Sequence, residues 1–362
     1  MNSRSERAVT LLRRHLGWAV TAAYLAALLL PDPGVWLRHP HSLPFPAGRP
    51  LSVNVTGRLL ALVLFSAGLQ VPLRELGRLL RRPGILLAGL ALHLTIPLLI
   101  IPLVAFLLHR SPDTDGGSGL VTAMILIVAM PVAAGATVWT GKGQGDQPTM
   151  VGLVLASTLL SPLTIPLTVS VLAPLLGGGY ANTLTSAGRS LHSGFALTAV
   201  VLPCAAGCAI RLLLSRRWAE RVSAAVAPAA LMGSLLLTYV NASGALGSFL
   251  RRPRPLLFVA SVTVAALVCA FSFLLGRLTA RALRLDAPQA SSLTLACGMN
   301  NSSASAVLLT TALPDKPHLL LPVLAYGLLQ KTAANRVVRL RVPTGTHPGG
   351  PGRRGLRPTG RT

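Results

Sequence analysis

Acidic residues are nearly missing from this chain: nine aspartates and glutamates stand against 33 lysines and arginines in 362 residues. Charged residues of both signs reach only 12% and aromatics 4%. That is too little polar surface to clothe a soluble globular protein of this length. Cysteine is scarce as well. Cys204, Cys208, Cys269 and Cys297 all fall in apolar segments, so they read as small buried hydrophobes and not as a disulfide framework. Cys204 and Cys208 share a helical spacing, but no histidine or carboxylate accompanies them, so no metal site is expected there. No nucleophile–base pair or metal-ligand cluster stands out anywhere, and an enzyme is not expected.

What the chain has is apolar length. It is 52% hydrophobic, with a mean hydropathy of +0.62. Apolar stretches of about 18 residues or more recur, each long enough to cross a bilayer core of roughly 30 Å. The runs are continuous and do not alternate, which disfavours a β-barrel. The net charge of +24 invites a nucleic-acid partner. The arginines, however, lie mostly between the apolar runs and near the C-terminus, where the positive-inside rule places them. The expected partner is therefore the lipid bilayer, with no nucleic acid.

The fold class that follows is an all-α polytopic membrane protein of about ten transmembrane helices. The spans are expected at 15–31, 52–71, 84–108, 119–141, 148–175, 191–214, 221–245, 255–282, 288–312 and 318–338. Residues 1–14 form a basic cytoplasmic N-terminus. The apolar run after them lacks a small-x-small cleavage site and ends in "PDPG", so it reads as a first membrane helix and not a signal peptide. Residues 342–362 read as a disordered basic tail. Arginines and lysines favour one side: Arg74, Arg78, Arg81, Arg82, Lys142, Arg216, Arg217, Arg221, Arg281 and Arg284 join both termini there. Opposite them lie Arg38, Arg49, Arg110, Arg189, Arg251, Arg252, Arg254 and Lys316, diluted by Asp113, Asp115 and Asp315. Both termini are thus expected in the cytoplasm, in the cell's inner membrane.

An internal repeat organises the spans. "LLRRPGILLAGLALHL" at 79–94 resembles "FLRRPRPLLFVASVTV" at 249–264, an offset of 170. Met130 and Met299 are 169 apart, as are Pro148 and Pro317. The halves, 15–175 and 191–338, hold five spans each, and an odd number forces the second half to enter the membrane inverted. Inverted repeats are an architecture of secondary transporters. Within the halves two polar interruptions correspond, "AMPVAAGATVWTGKG" at 129–143 and "ACGMNNSSASA" at 296–306. Pro131 removes a backbone donor, while Gly298 and the Asn/Ser run offer the backbone other partners. Spans 4 and 9 are therefore expected to be broken helices, interrupted near Pro131 and Gly298 and crossing at the bilayer midplane. Irregular backbone at that depth must be covered by protein or line a cavity. Paired breaks in two inverted halves point to a substrate site. The adjacent amides of Asn300 and Asn301 need partners, and Ser302 and Ser303 either line the site or serve close helix packing.

The segments "ALHLTIP" (91–97), "MPVAAGATVWT" (130–140), "ASTLLSPLTIP" (156–166) and "CGMNNSSASA" (297–306), with Pro317 and Pro322, stand in the order and spacing of known landmarks. On them, the chain resembles the bile acid:sodium symporter family over residues 15–338. The resemblance implies a panel of spans 1, 2, 6 and 7, a core of spans 3–5 and 8–10, a substrate site near the crossing of spans 4 and 9, and coupling to sodium. It also exposes departures. The family's span-9 pattern Glu-x-Gly-Met-Gln-Asn meets Ala296 at the Glu and Asn300 at the Gln, with Asn301 retained. A Ser-Asn pair in span 4 is replaced by Ala136 and Thr137, a span-5 Ser and Thr by Met150 and Val154, and a span-3 Gln by Leu92. The His-Asn pair of span 10 is replaced by Gln330 and Lys331.

The resulting reading is a secondary active transporter of a small organic anion, since few acids occur within the spans. The candidate substrate-binding residues are Asn300, Asn301, Ser302, Ser303, Thr137, Gln330, Lys331 and His93. Tyr239 and Asn241 are expected to face the substrate cavity from the panel. Thr137, Asn300 and Asn301 are what remains of a sodium site, and the coupling ion is sodium or a proton. Lys331 is an intramembrane cation by position, unless it reaches past Arg336 and Arg339 to the cytoplasm. The alternatives are an arsenite-type efflux carrier, for which only Cys297 speaks, and a non-transporting sensor or relic of the same fold.

Overall fold

The structure, a computed structural model, describes residues 15–39, 41–43, 51–71, 77, 83–109, 117–177, 179–187, 193–251, 253–313 and 315–339. The basic N-terminus 1–14, the tail 342–362 and the charges at Arg49, Arg74, Arg78, Arg81, Arg82, Arg110, Asp113, Asp115, Arg189 and Arg252 lie outside the described residues.

Helices dominate, as the apolar runs require. In chain order they are α1 (Leu16–Leu29), α2 (Pro31–Arg38), α3 (Val55–Leu69), α4 (Gly84–Leu108), α5 (Ser118–Val128), α6 (Ala136–Lys142), α7 (Gln147–Leu172), α8 (Tyr180–Ala187), α9 (Leu202–Leu213), α10 (Arg216–Arg251), α11 (Pro255–Ala282), α12 (Ala287–Gly298), α13 (Ser302–Ala312) and α14 (Leu320–Arg339). A small hairpin, β1 (His41–Leu43) antiparallel to β2 (Leu51–Val53), links α2 to α3. A π-helical stretch, Ala196–Val201, leads into α9.

Five segments among the described residues are long and apolar enough to cross a membrane: Gly84–Leu108, Gln147–Leu175, Ala196–Leu213, Arg217–Arg251 and Pro255–Ala282. The 25 residues of α4 reach about 38 Å at 1.5 Å per residue, more than the hydrocarbon core. The other expected spans take a different form. The first is a pair of helices bent by 95° between Leu29 and Pro31. Leu30, with φ −133° and ψ 69°, has left the helical region there, which the residue before a proline avoids. Spans at 119–141 and 288–312 are split into α5 with α6 and α12 with α13. The span at 52–71 is the 15-residue α3, and that at 318–338 is α14, which carries Gln330, Lys331, Arg336 and Arg339.

The surface is inverted relative to a water-soluble protein. Leu87, Leu99, Phe106 and Leu107 on α4 and Leu159, Leu163 and Val171 on α7 are exposed, while Thr149, Ser157, Thr158, Ser161, Ser291 and Ser292 are buried. Large apolar side chains facing outward over whole helices have a favourable environment only in lipid. This is a multi-pass membrane protein.

The helices pack in two groups. In one, α10 lies against α1, α2 and α3, and α3 lies against α9. Small residues close that seam: a Cβ at Gly68 would meet the carbonyl of Cys204 and one at Gly207 the carbonyl of Phe65. Such reciprocal glycines let two membrane helices approach to backbone contact. In the other group α4 packs on α5, α7 and α11, and α11 on α12 and α14.

Candidate functional site

Two chain breaks meet inside the second group. α5 ends at Val128 and α6 begins at Ala136, leaving residues 129–135 non-helical around Pro131. α12 ends at Gly298 and α13 begins at Ser302. Each break strands donors and acceptors that have no water to turn to, and each supplies what the other lacks. The Ala133 amide donates to the Met299 carbonyl at 2.8 Å, and the Asn301 amide donates to the Pro131 carbonyl at 3.0 Å. Val132 and Asn300 thereby form an isolated antiparallel bridge. The Val132 amide donates to the buried hydroxyl of Ser157 on α7 at 3.1 Å.

The polar run that opens α13 is spent largely on holding this crossing. Asn301 is its N-cap, with Oδ1 accepting from the Ala304 amide at 3.1 Å. Asn300 Nδ2 donates to Tyr326 Oη at 3.1 Å, and that hydroxyl donates to the Gly298 carbonyl at 3.2 Å. Ser305 Oγ reaches the Leu126 carbonyl at the end of α5, at 3.1 Å. Tyr326 is fully buried and was not evident from the sequence. The available signal was a phenol four residues before Gln330 on an apolar helix. Gly298 is required by contact: a Cβ there would strike the Phe273 ring of α11. Gly298→Ala is therefore expected to destabilise the protein by about 1–3 kcal/mol through overpacking. A lower thermal midpoint of the detergent-solubilised protein checks this, and an unchanged midpoint would contradict it.

Beside the crossing, a cleft opens between the two helix groups. It is lined by Tyr24 of α1, Thr238 and Asn241 of α10, Ser302, Ser303 and Ala306 of α13, and Val323, Leu324, Gly327 and Lys331 of α14. Its free volume is about 20 Å³, space for about one water. Val323, Gly327 and Lys331 recur every four residues and so share one face of α14. Gln330, one position around, is buried and donates from Nε2 to Ser302 Oγ at 3.2 Å. Its Oε1 has no partner among the described residues.

The expected site residues thus separate. Ser302, Ser303 and Lys331 line the cleft, and Gln330 stands behind Ser302. Lys331 faces the cleft, not the exposed end of α14 where Arg336 and Arg339 lie. Asn300 and Asn301 lie at the crossing. Thr137 is in α6, its hydroxyl donating to the Ala134 carbonyl at 2.8 Å. His93 is buried on α4, with Nε2 unpartnered among the described residues, and it does not line the cleft. Of the two α10 residues expected to face the cavity, Asn241 lines the cleft, whereas Tyr239 donates from its hydroxyl to the Leu30 carbonyl at 2.7 Å.

A sodium site built from side chains does not fit these residues. Ala136, Met150, Val154 and Ala296 are buried and apolar. Asn301 Oδ1 already accepts from Ala304, and the Thr137 hydroxyl is bonded to its own turn. Among the described carboxylates Asp32, Asp146 and Asp286 sit at helix starts, Asp315 in a turn and Glu220 in the second turn of α10, and none lines the cleft.

The sequence pattern of the Sodium Bile acid symporter family matches residues 58–252. The "Uncharacterized sodium-dependent transporter YocS" of Bacillus subtilis (strain 168) is 26% identical over 251 residues, covering 69% of this chain and 72% of that protein. The "Uncharacterized protein YbaS" of the same organism is 24% identical over 277 residues, covering 76% of this chain and 85% of its own. The family pattern spans more than half of the chain and takes in the first break and Ser157, so this multi-pass membrane protein belongs to the sodium bile acid symporter family, whose members are transporters and not enzymes.

Proposed function

We propose that the chain is a secondary active transporter of a small organic anion, working in the inner membrane with both termini cytoplasmic. The observation that carries this reading is the cleft between the two helix groups beside the crossed breaks. A site at such a boundary changes its access when one group moves against the other, which is how inverted-repeat carriers alternate. The lining favours an anion: it holds a lysine, two serines and an asparagine, and no carboxylate residue.

Two inverted five-helix repeats, 15–175 and 191–338, account for the reciprocal contacts. α12 starts beside α7, the helix that follows the first break, through the Asp146 amide on the Pro288 carbonyl at 3.2 Å. α5 starts beside the turn that opens α14, the helix that follows the second, where a Cβ on Gly119 would lie 2.9 Å from Leu319 Cδ2. The arginine bias between the spans supports the orientation.

Ser302, Ser303 and Lys331 contact substrate in this reading, while Asn300, Asn301 and Gln330 hold those contacts in place. Thr137 and His93 are assigned no contact. Sodium coupling through the family's side-chain ligands is not part of the proposal, because those positions are apolar here.

Uptake of labelled pyruvate, succinate and taurocholate into proteoliposomes tests the function, and no uptake of any of them would contradict it. Asn301 provides a finer test. Asn301→Asp keeps a capping oxygen but adds a negative charge beside the cleft. It is expected to keep the native thermal midpoint and to lose at least about tenfold in uptake, the loss of about 1.4 kcal/mol. Asn301→Ala removes the cap and is expected to lower both uptake and stability, the latter by about 1 kcal/mol. Native uptake in Asn301→Asp would remove Asn301 from the site.

A further inference from the structure

Lys331 is one of three lysines in the chain, with Lys142 and Lys316. The other two lie at helix ends and stack on aromatic rings, Lys142 on Trp139 and Lys316 on Tyr180. Lys331 is in the body of α14 and faces a cleft. Among the described residues no carboxylate lines the cleft beside it, and the ion pair of Arg251 with Asp32 is at the surface. A cation inside a membrane protein without a counter-charge is costly, and such groups persist where they serve a ligand or an ion path.

The surroundings of Lys331 say which ligand. Ser302 and Ser303 are the first residues of α13, whose N-terminus carries partial positive charge, although the Ser302 and Ala304 amides are already bonded to the Asn300 carbonyl and Asn301 Oδ1. The Ser302 hydroxyl oxygen accepts from Gln330 Nε2, and the hydroxyl keeps its own hydrogen to donate. Asn241 and Thr238 complete the ring from the opposite helix group. The cleft therefore brings a lysine and the polar side chains of Ser302, Ser303 and Asn241 to one small space, with the Thr238 hydroxyl bonded to its own helix at the Ser234 carbonyl. Where the family resemblance expects polar or acidic side chains, this chain has the buried apolar Ala136, Met150, Val154 and Ala296, which offer no oxygen to a co-transported sodium.

We propose that Lys331 is a built-in counter-cation that replaces co-transported sodium: it binds the carboxylate of a monoanionic substrate against the first turn of α13, so that the loaded site is neutral without a bound metal ion. For transport this rests on the function proposed above, but the binding itself does not require the protein to move its ligand.

The experiment is therefore a binding measurement in detergent. Straight-chain carboxylates from acetate to octanoate are titrated against the full-length protein in sodium-free choline buffer, with matched alcohols as the neutral series, following the thermal midpoint. Carboxylates are expected to raise the midpoint and alcohols to leave it unchanged. The half-effect concentration should rise at least tenfold in Lys331→Gln and stay within about threefold in Lys331→Arg, which keeps the charge. Should Lys331→Gln not fold, reductive methylation of the native chain decides: octanoate should slow modification of Lys331 and leave Lys142 and Lys316 unaffected. Equal half-effect concentrations in native and Lys331→Gln protein, no stabilisation by any carboxylate, or stabilisation that appears only when sodium is added would overturn the proposal. Carboxylate binding that depends on Lys331 without uptake of any anion would keep the site and discard the transport reading.

Discussion

Replacing Gly327 with leucine is expected to abolish transport in a protein that still folds. Gly327 sits on the cleft face of α14, one turn before Lys331. A Cβ there would lie 3.0 Å from Ser302 Oγ, 3.5 Å from Ser302 Cβ and 3.7 Å from Tyr24 Oη. Alanine is thus near the limit of what those side chains can accommodate by small shifts. Leucine extends past them into a space of about 20 Å³ and puts apolar atoms where a charged head must sit. The expected loss in uptake is about 100-fold or more, or about 2.7 kcal/mol of binding. Because Gly327 is buried and the cleft is small, stability should fall as well, by the roughly 1–3 kcal/mol of an overpacked site. Initial uptake rates and thermal midpoints of the native chain, Gly327→Ala and Gly327→Leu check this. Full uptake in Gly327→Leu would move the substrate path away from this cleft.

The contrast between Gly327 and Gly298 shows where the sequence was readable. Gly298 sits beside "MNNSS" in an apolar run, and Pro131 stands with Gly135 in another; each announces a break through the combination, since Pro97 and Pro102 in α4 and Pro162 and Pro166 in α7 leave their helices continuous. That the two breaks meet was legible from their equal offset in the repeat. Their mutual backbone bonds, Ala133 to Met299 and Asn301 to Pro131, were not, since pairing between segments so far apart in the chain has no local signature. The 95° bend at Leu30 has no distinct signal in "PDPG", because a proline pair ends one helix and opens the next with the same residues. Asn301 was read as a substrate ligand, and its oxygen also serves as a helix cap, a role that polar residues take before a helix start in any setting. Gly327 and Tyr326 were overlooked for the same reason: each is ordinary in an apolar helix until the neighbouring helix is in place. Lys331 stood out from the start, since charge in an apolar helix is rare enough to need an explanation.

Charge accounting gives the second large effect. An ammonium about 4 Å from a carboxylate gains on the order of 4 kcal/mol at an effective dielectric near 20, enough to hold an anion that would otherwise bring an ion with it. If Lys331 is that counter-charge, the loaded carrier crosses neutral and the empty carrier returns with its positive charge. One negative charge then enters per cycle. A potential positive inside drives that cycle, by about 2.3 kcal/mol per 100 mV, or about 50-fold in the accumulated anion ratio. Sodium symport gives another result, because each anion brings at least one positive charge and an inside-positive potential gives no stimulation.

The measurement that separates these is uptake of pyruvate into proteoliposomes whose potential is clamped by potassium gradients and valinomycin, with the remaining cation either sodium or choline. The account predicts the same uptake in sodium and choline, stimulation by an inside-positive potential, and loss of uptake in Lys331→Gln. Uptake that requires sodium and is unchanged or inhibited by an inside-positive potential would contradict it.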